Sequence, residues 1–184
     1  MAEKQRRERR EKRREEEREE LDERVVDIRR VAKVIKGGRR FGFRTVVVVG
    51  DKNGRIGIGI GKSRAVPDSI RKANLKARAN LKTYSLIEGT VPHAVTGEFG
   101  GSKVLLLPAA PGSGVIAGGG VRAVLEVVGV HNILTKSQGS SNLLNVAMAT
   151  LDALSKVRSA ETLAEMRGKP INEVRPVWAR RKGV

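Results

Sequence analysis

Two glycine-rich runs and one arginine-rich run carry the residue types that could do chemistry in this 184-residue chain. Gly57-Ile-Gly-Ile-Gly-Lys-Ser63 has the glycines, lysine and serine of a phosphate-binding loop, in which backbone N–H groups cradle phosphate. That pattern also needs a glycine five positions before the glycine of Gly-Lys-Ser, and the residue there is Ile56. The strict alternation of glycine and isoleucine marks a strand, not a loop opening into a helix, so nucleotide hydrolysis is not expected. Gly112-Ser-Gly-Val-Ile-Ala117 satisfies the dinucleotide fingerprint, follows the apolar run Val104–Leu107 and precedes a helical pattern. Pro108 and Pro111 separate it from that strand, however, and no acid lies between Glu126 and Asp152 to hold a ribose. The favoured reading is a tight loop whose small residues pack on a neighbour. A dinucleotide-dependent enzyme is the alternative from another class.

Arg39-Arg40-Phe41-Gly42-Phe43-Arg44 interleaves cations with aromatics and partly matches the base-stacking motif of RNA-recognition sheets. That motif places glycine at Arg40 and an aliphatic residue at Arg44. Phe41 and Phe43 fit a core strand face as well as they fit base stacking. The arginines flank Gly37-Gly38, a tip able to enter an RNA groove. The distribution of charge supports a polyanionic partner. Of the net +17, residues 1–24 contribute nothing, with ten bases against ten acids. Residues 25–84 carry 16 Lys/Arg against Asp27, Asp51 and Asp68, a net +13. Phosphates answer such a field by releasing condensed counterions.

Other chemistry is excluded by composition. The absence of cysteine removes disulfides, thiolate metal sites and cysteine nucleophiles. His93 and His131 are the only histidines, with no partner at metal-ligand spacing and no legible Ser-His-Asp arrangement. Neither catalysis nor a metal or other cofactor is expected. No apolar run approaches the roughly 20 residues that span a bilayer, and the N-terminus lacks both the apolar core of a secretory signal and the acid-poor character of a transit peptide. A soluble cytoplasmic protein is expected.

These residues need elements to position them. Residues 1–24 cannot bury a core; they read as a solvated tail, or as a single helix held by Glu–Arg pairs, with ordering on RNA as the sharper version. Val25–Ile35 leaves helix or strand open. Phe41–Val49 reads as a strand, Asp51–Gly54 as a hairpin turn and Arg55–Gly61 as the returning strand, its isoleucines on one face and its glycines on the other. A face without side chains admits another backbone. Pro67 and Asp68 suit the start of a helix, with Ile70, Ala73, Ala77 and Leu81 as its inner stripe and Arg71, Lys72, Lys76, Arg78 and Lys82 outside. A second module, from about Ser85, has strands at Val91–Phe99 and Lys103–Leu107, a loop at Pro108–Gly120, a helix at Val121–Val128 and a short strand at Asn132–Thr135. A helix after Ser140-Ser141-Asn142, another at Glu161–Arg167 and a basic tail from Pro170 complete it.

Taken together, Val34-Ile-Lys-Gly-Gly-Arg-Arg-Phe41, Val47-Val-Val-Gly-Asp51 and Asn53-Gly-Arg-Ile-Gly-Ile-Gly-Ile-Gly-Lys62 resemble the first domain of the bacterial small-subunit ribosomal protein five family. Pro108-Ala-Ala-Pro-Gly-Ser-Gly-Val-Ile-Ala-Gly-Gly119, Val121–Glu126 and Gly129-Val-His-Asn132 resemble its second. Ala65 departs from the glutamate usual there. The resemblance covers about Glu23 to Gly168. The acid- and base-rich residues 1–22 and the tail after Gly168 lie outside it. It implies an α+β / α/β architecture in which, after the charged extension (1–24), comes a domain like those that bind double-stranded RNA (25–84), a three-stranded antiparallel sheet plus helix in which Val25–Lys36 is the first strand. A βαβ-type domain of the ribosomal protein S5 domain 2-like fold (85–168) and a basic tail (169–184) follow. It further implies a structural, non-enzymatic constituent of the small (30S) subunit that binds 16S rRNA near the body–head junction and the channel by which messenger enters. Effects on decoding accuracy and spectinomycin response come with it. The expected RNA contacts are Lys36, Arg39, Arg40, Arg44, Arg55, Lys62, Arg64, Arg71 and Lys72, with Gly37, Gly38, Gly57, Gly59 and Gly61 permitting close approach. Small-subunit proteins four and eight are the implied neighbours, with protein three nearby. The loop bearing Gly112, Gly114, Gly118, Gly119 and Arg122 would face protein four. A free-standing RNA-binding module acting off the ribosome is a further alternative, separable by sedimentation with 30S particles.

Overall fold

The computed structural model describes residues 21–87 and 89–174. Most of the expected charged extension (1–20) and the end of the basic tail (175–184) lie outside the described residues. The first sheet has the order β1-β2-β3-β4, from β1 (Asp22–Ile35), β2 (Gly38–Gly50), β3 (Arg55–Ser63) and β4 (Lys82–Thr83), with neighbours antiparallel. Helix α1 (Val66–Ala79) crosses from β3 to β4. The segment left open between helix and strand is therefore a strand, and it begins at Asp22, inside the stretch expected as extension. The expected three strands gain a fourth of two residues, held by pairing of Lys82 and Thr83 with Ile56 and Arg55.

The second sheet has the order β5-β6-β8-β7, from β5 (Val95–Phe99), β6 (Ser102–Pro108), β7 (Val115–Ile116) and β8 (Ile133–Gly139). β7 and β8 are parallel, and α2 (Gly119–Val128) makes the crossover between them, giving the βαβ unit. Three further helices follow, α3 (Leu143–Lys156), α4 (Ala160–Arg167) and α5 (Ile171–Val174), the last inside the expected tail. α3 starts at Asn142, whose side chain accepts from the Leu144 N–H. β5 starts later than the apolar run does, because Pro92 cannot donate to a ladder. β8 runs further than expected, since its polar end, Lys136 to Gln138, is exposed strand without an apolar alternation.

Val46–Val49 is an unbroken apolar run because both faces of β2 are covered. Val47 and Val49 pack with Ala73 and Ala77 of α1. Val46 and Val48 share the main core with Ile56 and Ile58, with Val121, Val124 and Leu125 of α2 and with Val146 and Leu154 of α3. The chain thus forms four layers: α1, the first sheet, the α2–α3 pair and the second sheet. The turn at residues 51–54 locks the middle layers. Asp51 Oδ1 accepts from the N–H groups of Asn53 (2.8 Å) and Arg55 (3.0 Å). The N–H groups of Lys52 and Gly54 donate to Val127 O (3.1 Å) and Val128 O (2.9 Å), closing the C-terminus of α2. The left-handed residues of this turn are Lys52 (φ 58°) and Gly54 (φ 90°).

The glycine face of β3 has a different neighbour from the one expected. A Cβ on Gly57, Gly59 or Gly61 would come within 3.0 Å of the carbonyl oxygens of Ala77, Ala73 and Ser69 respectively. Four helical residues rise about 6 Å and two strand residues about 6.6 Å, so the i,i+4 stripe of α1 meets each alternate residue of β3. Thr45 and Ser69 hydroxyls hydrogen-bond across the same interface at 2.7 Å. These three glycines therefore serve the chain's own helix, which corrects the expectation that they let RNA approach. The buried stripe of α1 is Ser69, Ala73 and Ala77, while Ile70 and Leu81 are only half-buried. Gly59→Ala should lower stability by about 1–3 kcal/mol through overpacking. Gly119→Ala, where a Cβ meets open space, should stay within about 0.5 kcal/mol of the wild type. Urea denaturation of the two variants checks both values.

Candidate nucleic-acid interface

β2 pairs with β3 only from Phe43 onward, so Gly38–Gly42 pair with β1 alone. The result is a two-stranded arm reaching about 17 Å past the sheet, at roughly 3.4 Å per residue. Its tip is Lys36-Gly37, and Gly37 takes a positive φ of 86° that a side chain would resist. Residues 32–41 are exposed throughout, unlike the buried inner end of β2.

The register assigns each arm residue a face. Val46 and Val48 face the second module, so Arg40 and Arg44 share that side, with Lys33 opposite Arg40 and Arg29 opposite Arg44. Lys62 pairs with Arg44 from β3, making a row of three cations across the sheet. The Arg44 Nε is buried without a hydrogen-bond partner among the described residues. Arg39 lies on the other side, that of α1. Like charges directly opposite one another destabilise a ladder, by up to about 1 kcal/mol per pair. A two-stranded ribbon is marginal even without that repulsion.

Acids compensate the inner end and not the arm. Glu23 takes Arg78 at 2.7 Å, Asp22 takes Lys52 at 3.4 Å, Asp27 takes Arg29 at 2.7 Å, and Glu126 of α2 pairs with Arg24. Among the described residues, Lys33, Lys36, Arg39, Arg40, Arg44, Lys62 and Arg64 have no acidic partner. Of the expected contacts, the structure gathers Lys36, Arg39, Arg40, Arg44, Lys62 and Arg64 on the arm and its root. Arg71 and Lys72 stand exposed in the first turns of α1, Arg71 beside Asp68 at 3.7 Å. Arg55 stands apart at the opposite end of β3, paired with Thr83 of β4. Arg30 and Lys33 also stand on this arm and were not among the expected contacts, although the resemblance made Val25–Lys36 a strand; mirroring residues about Lys36-Gly37 places Lys33 opposite Arg40.

The dinucleotide fingerprint is occupied by its own chain. The N–H groups of Gly112 and Gly114, which a pyrophosphate would need, donate to Asn132 Oδ1 at 2.9 and 3.2 Å. Gly112, Gly118 and Gly119 are exposed with open space around them, Gly114 is half-buried, and Arg122 Nη2 donates to Val115 O at 3.2 Å. Among the described residues no group of three or more His, Cys, Asp or Glu side chains gathers at a metal site, and no helix is long and apolar enough to cross a membrane. Phe41 is not in the core: it is 52% exposed.

A cationic arm on a sheet-and-helix module defines the class: a protein with a surface built for a polyanion. Comparison with known proteins gives the particular kind. Residues 21–83 match the N-terminal domain of ribosomal protein S5 and residues 97–167 its C-terminal domain. The small ribosomal subunit protein uS5 of Syntrophobacter fumaroxidans is 51% identical over 155 residues, 84% of this chain and 93% of that one. That of Thermotoga maritima is 51% identical over 153 residues, 83% of this chain and 86% of the relative. The chain belongs to the ribosomal protein S5 family.

His93 is half-buried, with its Nδ1 lacking a partner. Burial first, then the charges of Arg167 and Arg158, push its imidazole below the ordinary 6.5. The fold thus favours the neutral ring. Its stability is complete above pH 6.5 and is lost as pH falls through the depressed value. His93→Gln should therefore lose less melting temperature than the wild type between about pH 7.5 and about pH 5. Equal losses would remove His93 from the acid response.

Proposed function

We propose that this chain is a structural, rRNA-binding constituent of the small ribosomal subunit in the cytoplasm, and that its arm enters folded 16S rRNA. The observation that carries this reading is the uncompensated charge of the arm: opposed like charges on a marginal ribbon need phosphates to hold them. A-form RNA offers a wide minor groove and backbone oxygens, which such a ribbon reads by shape. Lys36, Arg39, Arg40, Arg44, Lys62 and Arg64 supply the main contacts. Arg71 and Lys72 extend them along α1, Arg55 makes a separate contact at the far end, and Gly37 and Gly38 keep the tip slim.

The finer placement follows the family resemblance: the body–head junction, the channel by which messenger enters, and an influence on decoding accuracy. Residues 25–84 face RNA, and residues 85–168 face protein neighbours four and eight, with protein three nearby. The exposed loop with Gly112, Gly114, Gly118, Gly119 and Arg122 is the surface for protein four. Its shape, held by Asn132, supports a contact role.

Arg39→Ala and Arg40→Ala test the reading. Each should weaken binding to small-subunit rRNA and reduce the slope of log K against log salt by about 1, the value for one lost phosphate contact. The double variant should leave 30S particles at lower salt than the wild type during sedimentation. An unchanged slope and unchanged retention would overturn the arm's role.

A further inference from the structure

We propose that the arm carries a stacking platform for one unpaired RNA base, centred on Phe41; this rests on the reading that the arm binds rRNA. The register places Phe41 and Phe43 of β2 on the α1 side of the arm, with Arg30, Ala32 and Val34 of β1 across from them. This side differs chemically from the other. It is largely apolar and open, with Phe41 52% and Val34 72% exposed, whereas the opposite side carries Arg29, Lys33, Arg40 and Arg44. The Arg30 guanidinium lies 4.6 Å from the centre of the Phe41 ring, a cation–π contact that fixes the ring's orientation.

Phe41 stays half-exposed on the protruding ribbon with Arg30 over its ring, and it belongs to neither buried cluster of the described residues. Arg30 and Arg39 share its side, and none of the arm residues on that side is acidic. An aromatic plane bordered by cations suits a nucleobase with its phosphates better than an apolar protein surface. Phenylalanine offers no hydrogen bond, so the platform takes any base. What it demands is a base that has left its helix, such as a bulged or junction nucleotide. The two sides then divide recognition: the basic side follows the backbone of paired strands, and the aromatic side holds the displaced base.

Two RNAs test this by fluorescence anisotropy: a fully paired duplex of about 16 base pairs, the span of a double-stranded-RNA-binding domain, and the same duplex with one bulged 2-aminopurine. The wild type should hold the bulged RNA about tenfold more tightly, with a change in 2-aminopurine emission. Phe41→Ala and Phe41→Leu should bring the bulged RNA to the affinity of the paired one, and Phe41→Trp should keep the preference. Unchanged melting temperatures of the leucine variant would show that the fold is intact. A preference that survives Phe41→Ala, or equal wild-type affinities for the two RNAs, overturns the platform and leaves the open ring to a protein neighbour. Failure to bind either RNA would instead overturn the underlying reading of the arm. Arg40→Ala, which acts on the other side, should weaken both RNAs alike.

Discussion

Gly57, Gly59 and Gly61 let α1 rest its backbone on that of β3, and the geometry of the first module follows from this contact. Small residues on both surfaces leave no bulky side chains to interlock, so the match between helical and strand spacing sets where the helix lies. The helix covers the sheet only where β3 is present. From Phe43 toward the tip, β1 and β2 continue with no third strand or helix behind them among the described residues. The arm is what remains of a hairpin whose partners have ended.

The other side of the sheet explains why the charge concentrates on that arm. Val46, Val48, Ile56 and Ile58 are closed over by α2 and α3, and the acids near this seam are taken up by local cations: Asp22 by Lys52, Glu126 by Arg24. Toward the tip the described residues supply neither core nor acid. Binding to a polyanion therefore removes a repulsion already present in the free protein, besides adding contacts.

Much of this was legible in the residues. The valine run of β2, the Gly/Ile alternation of β3, the Pro67 helix start and the Asn142 cap each carry a local signal, and the structure follows them. Charge counting located the cationic module because charge is additive along the chain. The misreadings arose where local signals meet tertiary facts. The glycine face of β3 announced that a backbone comes close, but not whose; the partner is Ser69-Ala73-Ala77, a stripe whose small size looked ordinary. β1 was ambiguous from its own residues because most of it is exposed on both sides, and only the family resemblance made it a strand. The Gly112–Ala117 fingerprint was not misread: Pro108, Pro111 and the missing acid already argued for a structural loop, and the N–H groups of Gly112 and Gly114 answer Asn132, 18 to 20 residues away.

The seam closed by the 51–54 turn has a consequence for how the polypeptide emerges during synthesis. The first sheet is complete by residue 83, but the helices that cover its inner valines and isoleucines end at residues 128 and 156. A nascent chain that has exported only the early strands carries a bare aliphatic face beside a highly cationic ribbon. Such a species is prone to association with other chains until the later helices arrive. The two halves of the molecule are separate in sequence pattern, but neither finishes its interior without the other.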